Sequence, residues 1–521
     1  MLISPSAVEA FLNRALRDCH KYKNYSTAKL DRLLAKHDVR FHTAPRKHQK
    51  VCFLLGLKYN AFLYSLDMGL GKTWLALNLF NHHRRKNGNR FRMLVLVPGR
   101  SHPNEWKDQC RQHTPDLKLS AVDGHGDAQR LKQMQAGDIS VITYAGFLKL
   151  VTTPVPTKTK GKKTRNKWAI DPWKLKKLAR KFHIATPDEC QALGNPNATT
   201  FKAYHAFADE LKRKYELSGT PFGNDPMELW SIFKALDGGE TLGTTLGLFR
   251  AAFCTASRSR WHRGYDYTFD RRKKKILSKM IRNRSIRYET SECEDLPKQV
   301  FVPVPVEFDP ETYQYYDKLV ERIIESKEGA KPIQSSYIRL RQLTAGYMTY
   351  KVQKETKQSD FKYQPKLDAL IDRLKQTPKG RKAVIWHHYI RSGRLISERM
   401  KKEGLKFVWL YSGVSNQKAV VERFKSDPSI QFLISSPAGK AGGNWQAANY
   451  AHFFESPSNP RDRGQMEKRI HRLGQSNKCF YYDYYVEGSI DQHILHAVED
   501  GTDFFKAVMG DKKSAKKLVR K

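Results

Sequence analysis

The sequence has no window near the roughly 18 uninterrupted apolar residues of a membrane-crossing helix, and its mean hydropathy is -0.66. No transmembrane segment is expected. Its seven cysteines are scattered, with no CxxC pair to seed a zinc site or a disulfide framework, so reduced thiols are expected. The stretch MLISPSAVEAFLNRALRDC has no basic leading region and is broken by Glu9 and Arg14, unlike a secretory signal. An intracellular location is expected, cytoplasmic for a bacterial or viral chain and nuclear for a eukaryotic one. Acidic residues are scarce: 52 Asp and Glu face 94 Lys and Arg, a formal net charge of +42. That excess creates a long-range field that attracts polyanions.

What is present suffices for folded cores. The 521 residues are 40% hydrophobic and 11% aromatic, which excludes a disordered basic tail and gives room for roughly three structural units. Residues 1–40 mix basic and apolar positions at helical spacing and read as a helical preamble. From residue 61, continuous apolar runs (AFLYSL, MLVLVP, ISVITY) alternate with amphipathic stretches, the pattern of a parallel sheet covered on both faces. A second such series begins near residue 382 with KAVIW, KFVWLYSG, QFLISS, AHFFE and FYYDYYVEG. The expected organisation is α/β, with a first lobe over 41–235, helical insertions and a linker over 236–360, a second lobe over 361–497 and a basic tail over 498–521. Residues 152–167 are rich in turn formers and cations and read as a surface loop, mobile or lying on phosphates.

DMGLGKT, Asp67–Thr73, falls where an apolar strand ends and a helix begins. Gly69 and Gly71 permit a tight turn with inward N–H groups, the helix N-terminus adds partial positive charge, and Lys72 can reach terminal phosphate oxygens. Thr73 is placed to ligate Mg2+. Leu66 stands where the general phosphate-loop pattern has its first glycine, so this is a shortened form. Phosphoryl hydrolysis also needs one carboxylate for magnesium and one for water, from a neighbouring strand end. Asp188 and Glu189 are the best adjacent pair, although Pro187 before them fits only at the very end of a strand. The histidine pairs His82–His83 and His387–His388 have no metal partners at suitable spacing and read as ordinary residues.

DMGLGKT, DECQALGNPNATTFKAY, LSGTPFGNDPMELWSIFKAL, SSPAGKAGGNWQAAN and NPRDRGQMEKRIHRLGQ occur in that order. Together they closely resemble the helicase motifs of the sucrose-nonfermenting (Swi/Snf-type) ATPases, a branch of superfamily 2, from about Pro45 to Leu495. The resemblance implies two RecA-like parallel-sheet lobes in tandem, with helical insertions between them, that bind ATP and Mg2+. Gln49 is similar to the glutamine that reads adenine. Lys72 and Thr73 resemble the phosphate and magnesium residues, and Asp188 and Glu189 the magnesium carboxylate and the water-activating base. Ser218, Gly219 and Thr220, with Gln465, resemble residues that couple hydrolysis to lobe movement. Gly442, Arg469 and Arg472 look like nucleotide-site residues of the second lobe, the two arginines completing the site in trans; their spacing of three puts them on one helical face.

Nucleic-acid contacts implied by the resemblance are Pro98, Arg100 and Ser101, Thr143 and Tyr144, Ser412 and Gly413, and Ser435, Ser436 and Asn444. Small hydroxyls, glycines and strand-end amides suit a reader of backbone phosphates. The chain departs from the family at Gln191, usually histidine, at Pro187, at Ser458 and at Lys440. The expected function is an ATP-driven translocase on double-stranded DNA, of the compact kind seen in bacteria and viruses. A strand-separating DNA or RNA helicase, acting on single-stranded DNA or RNA, and a nucleic-acid scaffold with a decayed ATPase are the alternatives.

Overall fold

A computed structural model describes residues 3–13, 20–99, 102–157, 165–219, 226–258, 264–293, 296–325, 330–352, 355–436, 445–472 and 474–501. The chain forms two compact units, Met1–Cys293 and Glu294–Lys521. In the first the strands are β1 (Ala61–Leu66), β2 (Met93–Val97), β3 (Leu119–Val122), β4 (Ile139–Thr143), β5 (Thr152–Thr157), β6 (Arg165–Ile170), β7 (Ile184–Pro187), β8 (Arg213–Ser218), β9 (Cys254–Arg258), β10 (Tyr265–Phe269) and β11 (Ser285–Tyr288). Seven of them form a sheet in the order β11-β1-β8-β7-β2-β4-β3, parallel throughout.

Neighbouring residues on each strand enter opposite cores. Leu63, Leu94, Leu96 and Ile142 pack on one face, while Phe62, Tyr64, Leu66, Met93, Val95 and Val97 pack on the other. Both faces are therefore dry, which is why these strands are continuous apolar runs. Pro187 ends β7, paired with Leu96, where a missing N–H costs the ladder least. Before the sheet lie the helices Pro5–Leu12 and Thr27–Ala35, within the stretch expected to be a helical preamble.

The second unit carries β12 (Gln299–Val306), β13 (Tyr347–Val352), β14 (Glu355–Asp360), β15 (Lys382–Trp386), β16 (Phe407–Leu410), β17 (Phe432–Ser435), β18 (Ala448–Phe453) and β19 (Cys479–Val486). Its sheet runs β12-β19-β18-β15-β17-β16, again parallel. Val384 and Trp386 pack on one face and Ala383 and Ile385 on the other. No helix among the described residues is long and apolar enough to cross a membrane.

Two sequence expectations need correction. The stretch 236–360 is not without strands: β11 joins the first sheet, β12 the second, and β9–β10 and β13–β14 form antiparallel ribbons. β11 has only four residues and β12 contains Pro303 and Pro305; both are edge strands, where short length and proline are tolerated and the apolar signal is weak. The basic segment 152–167 is not all loop either. Its flanks pair as β5–β6, from Thr152 with Ile170 to Thr157 with Arg165; residues 158–164 lie outside the described residues, as does 502–521 of the basic tail.

Arg463 is a buried pin of the second unit. Its guanidinium donates to both carboxylate oxygens of Asp483 and, at 2.6 Å, to Glu467, and lies 3.6 Å from the centroid of the Phe453 ring. Removing one partner strands the other charges in a dry site. Arg463→Met is expected to lower the stability of this unit by about 3–5 kcal/mol in urea unfolding followed by tryptophan fluorescence. The double variant Arg463→Met/Asp483→Leu should recover part of the loss; no recovery would show that the pair matters through packing alone.

Candidate functional site

Because β1, β8 and β7 are adjacent and parallel, their carboxyl ends open on one edge of the first sheet. β1 runs into DMGLGKT, β7 into Asp188 and Glu189, and β8 ends in Ser218 followed by Gly219. Crevices at such strand ends are where open α/β sheets bind ligands.

The loop after β1 is shaped by Gly69 and Gly71, with φ of 90° and 84°. A Cβ on Gly71 would lie 2.2 Å from Gln49 Nε2, so only glycine fits beneath that amide. Gln49 is buried; its side chain accepts from Arg46 N at 2.9 Å and donates to Leu70 O at 3.4 Å. His48 Nε2 also meets Leu70 O at 2.9 Å, and Asp67 accepts from the amide and hydroxyl of Thr290. The helix Lys72–Asn87 starts directly after Gly71, directing its N-terminal amides at the crevice.

Lys72 Nζ donates to Leu66 O at 3.0 Å and lies 4.0 Å from Glu189 Oε1. A Cβ on Gly219 would come within 3.3 Å of the same ammonium, so glycine there leaves room for the lysine. Asp188 is 8% exposed, its two oxygens accepting from Trp106 Nε1 and Glu189 N, both at 3.0 Å. Glu189 holds an unusual left-handed backbone with φ of 50°, a conformation that costs a non-glycine residue about 1–2 kcal/mol. Its Oε2 accepts from Gln191 Nε2 at 2.6 Å, and Gln191 Oε1 accepts from Ser218 Oγ at 2.7 Å. The end of β8 is thus wired to Glu189 through Gln191, the position where this chain departs from the expected histidine.

Electrostatics differ across the pair. Burial, then the neighbouring Glu189, hold the Asp188 carboxyl above the usual range against the pull of Lys72, Trp106 and His102. Burial also pushes Glu189 up, but Lys72, the Gln191 bond, His102 and the Gly219 amide together outweigh it and leave the carboxyl below its ordinary value. A hard divalent cation suits such a donor set, the Asp188 carboxylate and the Thr73 hydroxyl on the first helical turn, because it would relieve the crowding of two carboxylates beside one lysine.

Other expected residues fall differently. Tyr144 is buried and its hydroxyl donates to Asp188 O at 3.0 Å, so its side chain supports the acidic pair and is not offered to nucleic acid. The Thr143 hydroxyl caps the helix Tyr144–Val151 by accepting from Gly146 N. Ser435 and Ser436 are buried, the former donating to Ser436 O, which removes both hydroxyls from a strand-facing surface. Pro98, Ser412 and Gly413 are exposed at strand ends. Arg100, Ser101, Thr220, Gly442 and Asn444 lie outside the described residues, as does Lys440.

In the second unit Gln465 is on the helix Pro460–Glu467, which ends before Arg469. Arg469 and Arg472 therefore follow it in a turn and a bend, not on one helical face as their spacing implied. Gln475 fixes that bend, its amide donating to the carbonyls of Gln446, Ala448 and Ile470, while Trp445 N donates to Arg469 O. Arg469 is 6% exposed. The sequence reading missed Trp106 and Glu455. Trp106 had no signal beyond an apolar helix position. Glu455 is buried at the end of β18 and accepts from His388 N, Tyr389 N and Ser392 Oγ, a latch with no spacing signature. His82, His83 and His387 are buried, and His83 Nε2 meets Tyr215 OH at 3.0 Å. The six described cysteines are free thiols.

Two parallel-sheet units, one with a lysine loop beside an acidic pair, define a nucleotide hydrolase of the helicase class. The family model of the SNF2-related domain matches residues 47–362, and that of the helicase conserved C-terminal domain matches 365–474. The chain belongs to the SNF2-related family, whose members couple ATP hydrolysis to nucleic acid. It is 23% identical to an uncharacterized ATP-dependent helicase of Mycoplasma genitalium, over 89% of this chain and 42% of that protein. It is 26% identical to a RAD54-like DNA repair and recombination protein of Gallus gallus, over 59% of this chain and 46% of the other. A Sulfolobus solfataricus SWI2/SNF2 ATPase core solved with double-stranded DNA is similar at 22% identity and a TM-score of 0.39, covering 93% of this chain and 98% of that one. The chain spans between 41% and 61% of the length of the first curated relatives it matches.

Gly71→Ala tests the loop. The added methyl meets Gln49 and strains a left-handed residue, costing about 1–2 kcal/mol from the backbone alone. Affinity for a fluorescent ATP analogue should fall about tenfold or more with an unchanged circular dichroism spectrum; unchanged affinity would refute the loop's assigned role.

Proposed function

We propose that this chain is an ATP-driven translocase on double-stranded DNA. The observation that carries the reading is the cluster on one sheet edge, in which Lys72, Asp188 and Glu189 stand within one connected network. Lys72 and the amides of the glycine loop bind the triphosphate, and Gln49 borders the base. Thr73 and Asp188 would hold Mg2+, which would supply charge neutralisation to the bound phosphates. Glu189, kept ionised by Lys72 and Gln191, orients water and takes its proton. Arg469 and Arg472 stabilise charge on the phosphoryl oxygens in the transition state, a role worth about 10³ to 10⁵ in rate for such an arginine.

Ser218, Gly219 and Thr220, with Gln465, carry the change at the γ-phosphate into movement. The bond from Ser218 through Gln191 to Glu189 supports this assignment, since it reports the carboxylate's position to the end of β8. DNA is favoured as the track by the net charge of +42 and by a relative named for DNA repair and recombination. Exposed Pro98, Ser412 and Gly413 are the best candidates for phosphate contact. The strand-separating and decayed-enzyme alternatives gain no specific support from the site.

ATP turnover should be compared with no polymer, single-stranded DNA, duplex DNA and RNA at matched salt. Duplex DNA is expected to stimulate most, and the protein should displace a third strand from an intact duplex without opening a fork. Fork opening without third-strand displacement would overturn the translocase reading. Lys72→Ala and Glu189→Gln should each abolish stimulated turnover while DNA binding stays within about twofold; normal turnover in either would refute the role of that side chain. Gln191→Ala should lower kcat about tenfold with little change in KM, as expected for losing one bond to a charged group.

A further inference from the structure

The ribbon β5–β6 and the helix Pro172–Ala179 that follows it are used by none of the chemistry above. Two tryptophans lie in this short stretch: Trp168 is 57% exposed and Trp173 is 68% exposed. Elsewhere among the described residues Trp74, Trp106, Trp230, Trp386 and Trp445 are buried. Residues 152–181 hold eleven Lys and Arg against one carboxylate, Asp171. That carboxylate is occupied within the fold, accepting from Trp173 N at 3.0 Å and Lys174 N at 3.1 Å. Lys177 Nζ lies 4.6 Å from the Trp173 ring centroid, so a cation already stands on an aromatic face.

The root of the ribbon is fixed. Thr152 Oγ1 donates to Leu148 O at 2.7 Å, Asp171 N donates to Val151 O at 2.8 Å, and Ile170 packs against the core that contains Leu175 and Leu178. The eight-residue helix Tyr144–Val151 joins this root to the carboxyl end of β4, a span of about 12 Å at 1.5 Å per residue. The tryptophans are therefore carried by an element anchored at its root to the core of the first unit. Exposed rings interleaved with ammonium groups match a strand whose phosphates and base faces are both accessible. An acidic peptide would use the cations and leave the rings in water.

We propose that this ribbon and helix form a second nucleic-acid site that takes an unpaired strand, with Trp168 and Trp173 stacking on bases and Lys176 and Lys177 meeting phosphates. The site deepens the translocase reading by giving the motor a hold on a strand that is already unpaired beside its duplex track, and it is separable from that reading by experiment.

The test is fluorescence anisotropy of a labelled oligothymidine and of a labelled blunt duplex over a salt series, with the full chain, with Trp168→Ala/Trp173→Ala and with Lys176→Glu/Lys177→Glu. Loss of both rings should weaken oligothymidine binding about tenfold or more, leave its salt slope unchanged, and leave duplex affinity and duplex-stimulated ATP turnover within about twofold. The charge variant should reduce the oligothymidine slope by about 1.4, from about 0.7 per phosphate contact. Unchanged oligothymidine affinity in the tryptophan variant overturns the proposal, as does an equal loss for duplex or for heparin, which carries charge without bases. If no nucleic acid stimulates ATP turnover, the translocase reading fails while the oligothymidine comparison still judges this site.

Discussion

The parallel pairing of β1 with β8, and of β8 with β7, is the constraint on which the site depends. Three strands distant in sequence end side by side, so a lysine, two carboxylates and a serine meet without any local sequence relationship. Apolar burial on both faces fixes the register, since a slip of one residue would send Phe62, Tyr64 and Leu66 into the opposite core. The geometry of Lys72 against Glu189 is thus held by hydrophobic packing some distance away. The few polar bonds at the edge only trim it.

The sheet also sorts charge. Glu216, two residues before Ser218, is fully buried, and burial holds its carboxyl well above the usual range, favouring the neutral acid. At the strand end Glu189 remains ionised because Lys72 stands 4.0 Å away, an attraction on the order of 4 kcal/mol at an effective dielectric of about 20. One strand thus carries a carboxyl that cannot afford charge, and its neighbour one that retains it. The left-handed backbone of Glu189 follows the same logic, for strain there is tolerated where flanking strands over-determine the turn.

Much of this was legible because it rests on periodic or contiguous signals. The apolar runs of β1, β2 and β4 announced a doubly covered sheet, and the glycines of DMGLGKT announced a turn before a helix. Asp188 and Glu189 were legible only as part of an ordered set of motifs, since FHIATP is a poor strand and an acidic dipeptide is common on surfaces. Edge strands β11 and β12 escaped because an edge strand needs neither length nor freedom from proline. Trp106 and Glu455 escaped for a different reason: each acts through one tertiary hydrogen bond or a small cluster of them, and tertiary partners leave no spacing in the chain. The hydroxyls of Thr143, Ser435 and Ser436 looked available because sequence gives residue type but not occupancy. A cap and two buried positions claim them.

Insertions in this fold are placed where the sheet can ignore them. The β5–β6 ribbon interrupts the passage from β4 to β7, two strands already secured by β2 between them, and the closure entropy of a longer connection rises only about 0.6 kcal/mol per doubling. Its root is packed and hydrogen-bonded, so its outer residues are released from any duty to the core. In that freedom a sequence selected only for solubility would carry small polar groups. Burying a whole tryptophan removes about 150–250 Å² from water, so leaving Trp168 and Trp173 more than half exposed forgoes on the order of 2–4 kcal/mol each at about 25 cal/mol per Å². The same two rings stand among cations that outnumber the carboxylates beside them: Asp171 is consumed in a helix cap, Asp127 lies 3.5 Å from Lys174 and Glu210 3.9 Å from Lys176. A surface that declines burial for its largest aromatics and repels every cation is built for a flat, anionic occupant.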